Sequence, residues 1–345
     1  LTADEQEVTV EYNETAEVAF ENIEKTGEIK VTKTTVGNIN VSGITFNLRG
    51  TSDSGRDIDI PAVTDENGVA IFSEIPIGTY TIYEDEKTVP TAYLVADPQN
   101  VTVTYAETKE VPIENKEKTG SITVHKTTEG QKNIEGIKFY LRGTSDSGRA
   151  IDIPATTDKD GIAKFDGVPI GTYMVIEDKE TVPYGYLVAD EKEVKVEYAQ
   201  TIDETILNNE QTGTVKVHKK TADMTNVEGI RFILSGISDT GREIRIEATT
   251  DKDGLAKFEG VPVGTYTITE DGSTVPYGYL VADSKQVTVT YAQTVDADMF
   301  NEKVPDTPNT GSSDNDIDGR TALGSIAIIL AGAAIVMFSR KRKER

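Results

Sequence analysis

Three residue types with reactive side chains recur at fixed spacing along this sequence. A lysine is followed by a glutamate 51 residues later (84−33) and by an asparagine after a further 31 (115−84), and the set repeats every 93 residues (126−33). The three sets are Lys33, Glu84 and Asn115; Lys126, Glu177 and Asn208; and Lys219, Glu270 and Asn301. An amine, a carboxyl group and a carboxamide are together the reagents for an amide bond between two side chains.

The reactive residues share the phase of apolar residues in alternating patterns that are typical of β-strands. Ile122 and Val124 precede Lys126 at spacings of two, and Glu177 and Asn208 end similar alternations. Residues two apart in a strand point to the same face. We therefore expect the amine, the carboxyl group and the carboxamide of each set to face one apolar core.

Burial of these groups would favour a specific reaction. An apolar environment disfavours both the ammonium and the carboxylate, and a neutral amine is a nucleophile. A protonated glutamic acid could polarise the carboxamide and carry protons while the amine expels ammonia, leaving a Lys–Asn isopeptide bond. The alternative is that these are ordinary strand-end residues, with the lysine extended towards solvent. The threefold repetition does not decide between the two, because duplication of a repeat copies the spacing in either case.

Composition excludes several classes of function. The net charge of −24 argues against nucleic acid and anionic membrane surfaces as partners. Without cysteine the chain forms neither disulfides nor thiolate metal sites, and two histidines are a poor basis for catalysis. We therefore predict that the chain binds no cofactor and no metal. We also predict that it is not an enzyme, because isopeptide formation happens once within the chain and does not turn over.

Short alternating strands between turn motifs, without a helical period, predict an all-β chain of tandem Ig-like antiparallel β-sandwiches. In the second copy, Pro154 is expected to end the strand that begins at Ala150. The expected divisions are the end of a truncated preceding repeat (1–24), repeat one (25–117), repeat two (118–210), repeat three (211–303), a linker (304–320), and a hydrophobic segment with a basic tail (321–345).

The repeats resemble the Cna-B/SpaA-type prealbumin-like domains of Gram-positive surface proteins. The resemblance rests on the opening strand Ile122–Lys126 (ITVHK), the strand Gly171–Glu177 (GTYMVIE), the loop Val182–Leu187 (VPYGYL) and the closing asparagine, with VPTAYL replacing the loop in repeat one. It implies the cross-links Lys33–Asn115, Lys126–Asn208 and Lys219–Asn301, assisted by Glu84, Glu177 and Glu270. Asn209, beside Asn208, is an alternative partner in repeat two.

The end of the chain resembles the sortase sorting signal of Gram-positive cell-wall proteins. A pentapeptide, a polar spacer, an apolar run (323–338) and a basic tail follow one another, and the apolar run is predicted to be a transmembrane helix. The pentapeptide is Thr307, Pro308, Asn309, Thr310 and Gly311, with threonine in place of the leucine of LPxTG. The resemblance implies cleavage after Thr310 and attachment to peptidoglycan; the alternative is a plain membrane anchor.

These features predict the stalk of a secreted, sortase-anchored adhesin in a Gram-positive cell wall. A missing upstream region would bind the host or matrix ligand. One alternative is a pilin subunit, which would need a further exposed lysine. Another is that the repeats themselves bind a ligand, for instance through their recurring loop Gly143–Arg149 (GTSDSGR).

Overall fold

A computed structural model describes residues 1–37, 41–132 and 134–305 of the chain. Residues 1–303 form one unit, in which each repeat has seven strands. In repeat one they are β1 (Thr26–Thr35), β2 (Thr45–Thr51), β3 (Asp57–Val63), β4 (Val69–Pro76), β5 (Gly78–Glu84), β6 (Gln99–Val103) and β7 (Thr108–Asn115).

The other two repeats follow the same order. Repeat two contains β8 (Thr119–Thr128), β9 (Lys138–Ser145), β10 (Ala150–Thr156), β11 (Ile162–Pro169), β12 (Gly171–Glu177), β13 (Lys192–Val196) and β14 (Thr201–Asn208). Repeat three contains β15 (Thr212–Thr221), β16 (Arg231–Ser238), β17 (Glu243–Thr249), β18 (Leu255–Pro262), β19 (Gly264–Glu270), β20 (Lys285–Val289) and β21 (Thr294–Asn301). The all-β prediction is confirmed for the described residues, whose helical segments are three single 3₁₀ turns.

Each repeat is a sandwich of a three-stranded and a four-stranded sheet. In repeat two the sheet orders are β11-β8-β14 and β10-β9-β12-β13. Alternate residues of each strand face the other sheet, so Ile122 and Val124 pack with Phe139 and Val175 in one buried cluster. The opening strand β8 lies in the middle of its sheet, where its inward side chains are covered on every side.

One pairing departs from the antiparallel expectation. The opening and closing strands of each repeat, such as β1 and β7, run parallel, with Lys33 opposite Ile113 and Thr35 opposite Asn115. The physical reason is the tandem arrangement. The chain enters a repeat at one end and leaves at the other, so its first and last strands point the same way. All other strand pairs of the described repeats are antiparallel.

The prediction that Pro154 ends its strand is wrong. Strand β10 continues to Thr156, and Pro154 lies opposite Tyr140 of β9. Because β10 is the edge of its sheet, its outer side needs no ladder hydrogen bonds and tolerates proline.

The β-pairing of residues 1–24 consists of one isolated bridge between Thr2 and Ile23. Their equivalents in repeat one lie in and around β6 and β7, which pair with β5 and β1. Within the described ranges, residues 1–24 have no comparable strand partners, and Asn22 is exposed.

The predicted sorting motif (307–311) and transmembrane helix (323–338) lie outside the described residues. Among the residues that are described, no helix has the length and apolar character needed to cross a bilayer.

Candidate functional site: a buried lysine, glutamate and asparagine in each repeat

The structure brings the three predicted side chains together inside each repeat. The lysine lies on the opening strand, the glutamate ends the fifth strand and the asparagine ends the seventh. Lys33, Lys126 and Lys219 are 1–3% exposed, and the three asparagines are fully buried. Strand alternation therefore carries the lysine into the core behind two apolar residues, as the sequence predicts.

In repeat one, a single carboxylate oxygen contacts both of the other groups. Glu84 Oε1 lies 3.1 Å from Lys33 Nζ and accepts a hydrogen bond of 3.1 Å from Asn115 Nδ2. Lys33 Nζ also donates to Asn115 Oδ1. The amine therefore lies against the carboxamide, and one oxygen lies between the two nitrogens.

In repeat two, the lysine is closest to the asparagine. Lys126 Nζ donates to Asn208 Oδ1 at 2.6 Å and to the carbonyl oxygen of Ile206 at 3.0 Å. Glu177 Oε1 lies 3.6 Å from the ammonium. The candidate partner is thus Asn208, whereas the backbone carbonyl of Asn209 accepts a hydrogen bond from Leu187.

In repeat three, the carboxylate bridges the other two residues through different oxygens. Glu270 Oε1 lies 2.9 Å from Lys219 Nζ, and Oε2 accepts a hydrogen bond of 3.0 Å from Asn301 Nδ2. The side chains of Lys219 and Glu270 are both 0% exposed. The pair is therefore removed from solvent screening.

Burial lowers the pKa of all three lysines from the ordinary value of 10.5. Loss of hydration is the largest cause, and the neighbouring glutamate acts in the opposite direction by stabilising the ammonium. The balance favours the neutral amine more than in water. This is the form of lysine that can attack a carbonyl carbon.

A backbone group that the sequence analysis missed holds each glutamate in place. The amide nitrogens of Ala96, Ala189 and Ala282 donate to Oε2 of Glu84, Glu177 and Glu270 at 2.7, 2.8 and 2.7 Å. Each alanine belongs to a recurring Leu-Val-Ala-Asp segment twelve residues after the glutamate. The repetition of this segment is visible in the sequence. Its role as a hydrogen-bond donor is not, because every residue except proline has a backbone amide.

A family model describes the same three segments. It is the SpaA prealbumin-like fold domain, and it matches residues 27–117, 120–211 and 213–303. The chain belongs to this family. A search of curated proteins finds no match to the chain.

The chain is similar to several solved structures, of which two are described here. The TIE protein of Bacillus anthracis is 20% identical, with 80% of this chain and 51% of that protein covered and a TM-score of 0.59. The present chain thus spans about half of that protein, and the similarity concerns the fold. The major pilin subunit BcpA of Bacillus cereus is 18% identical, with 81% and 100% covered and a TM-score of 0.39.

Proposed function

We propose that the three repeats are stalk modules in which an isopeptide bond joins the opening and closing strands. The proposed bonds are Lys33–Asn115, Lys126–Asn208 and Lys219–Asn301. The observation that carries the proposal is the contact of one Glu84 oxygen with both Lys33 Nζ and Asn115 Nδ2, at 3.1 Å each. An ordinary strand-end lysine would reach solvent, whereas all three lysine side chains are 0% exposed.

The reaction balances without any added reagent. The neutral amine of the lysine attacks Cγ of the asparagine, the Cγ–Nδ2 bond breaks, and ammonia leaves. The glutamate takes the proton from Nζ and delivers it to Nδ2. The backbone hydrogen bond from the alanine holds the carboxyl group in place, and in repeat one this carboxyl group contacts both nitrogens. The chain modifies itself once, so this is maturation and not enzymatic turnover.

The position of the bond determines its mechanical effect. Tension along tandem repeats enters a repeat at the start of its opening strand and leaves at the end of its closing strand. Lys33 lies near the end of β1, and Asn115 is the last residue of the parallel β7. A bond between them carries load directly to the exit and bypasses the 82 residues of chain that separate them.

Pulling on a single molecule of the chain tests the stalk function. We expect the wild-type repeats to resist extension, because the residues between the two cross-linked side chains lie outside the load-bearing covalent path and are not pulled straight. In Glu177→Ala the bond of repeat two does not form, and unfolding the 82 residues between Lys126 and Asn208 should release about 270–300 Å. Glu193→Ala, an exposed glutamate of the same repeat, is the control. Release of this length from the wild-type chain would contradict the proposal.

We also propose that the chain is secreted and attached to the cell wall of a Gram-positive bacterium through Thr310. Support comes from membership in the SpaA family and from the order of pentapeptide, spacer, apolar run and basic tail in the sequence. The apolar run would hold the chain in the membrane until a sortase cuts after Thr310 and joins it to the peptidoglycan precursor. An upstream region would bind the ligand.

Incubation of the purified chain with a sortase and an oligoglycine amine tests this attachment. The expected product ends at Thr310 and carries the amine, and Thr310→Ala should give none. A wild-type chain that retains residues 311–345 under conditions that process an LPxTG control peptide would contradict the proposal.

A further inference from the structure

A second carboxylate recurs at the junctions between repeats. Glu24, Glu117 and Glu210 each follow a closing asparagine by two residues. Glu117 and Glu210 are 9% and 3% exposed although they belong to connecting segments. The isopeptide chemistry does not use these glutamates, so their burial needs another explanation.

The connecting segment is bound to the repeat that precedes it. Glu117 forms a β-bridge with Tyr93 of repeat one. The amide of Lys118 donates to the carbonyl of Ala92, and the amide of Leu94 donates to the carbonyl of Lys116, both at 2.8 Å. The segment is therefore an ordered extension of repeat one and not a flexible tether.

The side chain of Glu117 points to the repeat that follows. Ser147 donates to Glu117 Oε1, and Arg149 Nη2 donates to Oε2 at 2.8 Å. Ser145 orders this loop, because its Oγ accepts a hydrogen bond of 3.0 Å from the amide of Arg149. We call this loop (Ser145–Arg149), with its equivalents Ser52–Arg56 and Ser238–Arg242, the socket loop.

The other two junctions repeat the contacts between the glutamate and the socket loop. Glu210 forms a β-bridge with Tyr186 of repeat two and accepts hydrogen bonds from Thr240 and Arg242 of repeat three. In front of repeat one, Glu24 accepts a hydrogen bond from Ser54 and lies 2.9 Å from the guanidinium of Arg56. The hydroxyl donor is serine in two socket loops and threonine in the third, so a hydroxyl group donates to the glutamate at all three junctions.

The fourth position of this series carries a different residue. Lys303 follows Asn301 by two residues and forms the equivalent β-bridge with Tyr279. It precedes the Pro-, Asp- and Ser-rich segment instead of a repeat, and its amine lies 3.0 Å from Asp223 of its own repeat. A glutamate is thus present at this position where a socket loop follows in the chain. The β-bridge to the preceding repeat does not require a glutamate, since Lys303 also forms it.

We propose that each socket loop is a binding site for the linker glutamate of the preceding repeat, which fixes the angle between consecutive repeats. The recognised group is a carboxylate on an extended segment, held by a hydroxyl and a guanidinium. A segment bonded on both sides cannot bend without breaking a partly buried, charge-assisted contact. The socket loop is therefore occupied within the chain and is not a free surface for a host ligand. The inference does not depend on the isopeptide bonds.

Distance measurements between spin labels test the proposal on the whole chain. The chain has no cysteine, so Lys164→Cys and Lys257→Cys place one label on an exposed strand position in each of repeats two and three. We expect one narrow distance distribution for the wild-type junction. Glu210→Ala, Arg242→Ala and Glu210→Lys, the last of which copies the residue at position 303, should each broaden it.

Two further variants separate loss of the junction contact from the general effect of removing a charged side chain. Glu193→Ala removes an exposed carboxylate from repeat two and should leave the distribution narrow. Exchange of the charges in Glu210→Arg with Arg242→Glu should narrow it again. A broad wild-type distribution, or a narrow one in Glu210→Ala, would overturn the proposal. So would broadening that is accompanied by lost hydrogen-exchange protection within the strands, since the repeats themselves would then have loosened.

Discussion

Removing the proposed cross-link from repeat two should lower its free energy of unfolding by about 4.5 kcal/mol. The bond closes a loop of 82 residues, from Lys126 to Asn208. The loop-entropy relation for covalent cross-links assigns about 15 cal/mol/K to a loop of this length, which is about 4.5 kcal/mol at 25 °C. Asn208→Ala removes the bond by removing the carboxamide, and Lys126→Met removes it by removing the amine while keeping an unbranched chain in the core.

The two variants and their combination form a double-mutant cycle. If the bond exists, either substitution alone abolishes it, so the second adds only its own packing loss. The coupling energy then approaches the full cross-link contribution of about 4.5 kcal/mol. Contacting residues without a covalent bond couple by about 0.5–3 kcal/mol. The size of the coupling therefore distinguishes an isopeptide bond from the buried hydrogen bond between Lys126 and Asn208.

Native-state hydrogen exchange measures these energies repeat by repeat, because the most protected amides report the opening of each cooperative unit. The strands of repeats one and three are internal controls in the same molecule. A coupling energy below about 3 kcal/mol in repeat two, or an equal loss of protection in all three repeats, would refute the cross-link argument.

Three other predictions follow from contacts within repeat two. In the unbonded Asn208→Ala chain, Lys126 keeps a buried amine with a lowered pKa. Between that pKa and 10.5 the unfolded state binds more protons, so stability in urea should rise with pH, whereas the bonded wild type should lack this rise. Tyr173→Phe removes a buried 2.8 Å hydrogen bond to a backbone carbonyl, and thermal unfolding should show a loss of about 1 kcal/mol. Gly120→Ala places a methyl group 2.5 Å from the carbonyl oxygen of Glu197; circular dichroism should show a lower melting temperature, and an unchanged one would contradict this contact.

The elements of the candidate site could be predicted because strand alternation decides which side chains enter the core. The period of two placed Lys126 behind Ile122 and Val124, and the structure buries all three. The same period carried Glu177 inward. Spacing alone could not show that the side chain of Asn208 contacts the amine of Lys126, because that contact depends on the closing strand returning beside the opening one.

Other features depend on tertiary contacts that leave a weak trace in the sequence. Parallel pairing of β8 and β14 follows from where the chain enters and leaves a repeat, which no local pattern encodes. Pro154 was expected to end a strand, because its position at a sheet edge was unknown. Glu117 is one of 59 acidic residues in the sequence, and only its neighbours in the next repeat explain its burial.

The intact mass of the purified, folded chain tests the central claim most directly. Each isopeptide bond removes one molecule of ammonia, so the account predicts a mass lighter than the sequence by three ammonias. Glu177→Ala should restore one of them, and fragments joining Lys126 to Asn208 should appear after proteolysis of the wild type and disappear in the variant. A mass equal to that of the sequence would contradict the account and leave three noncovalent sandwiches with buried lysine–glutamate pairs.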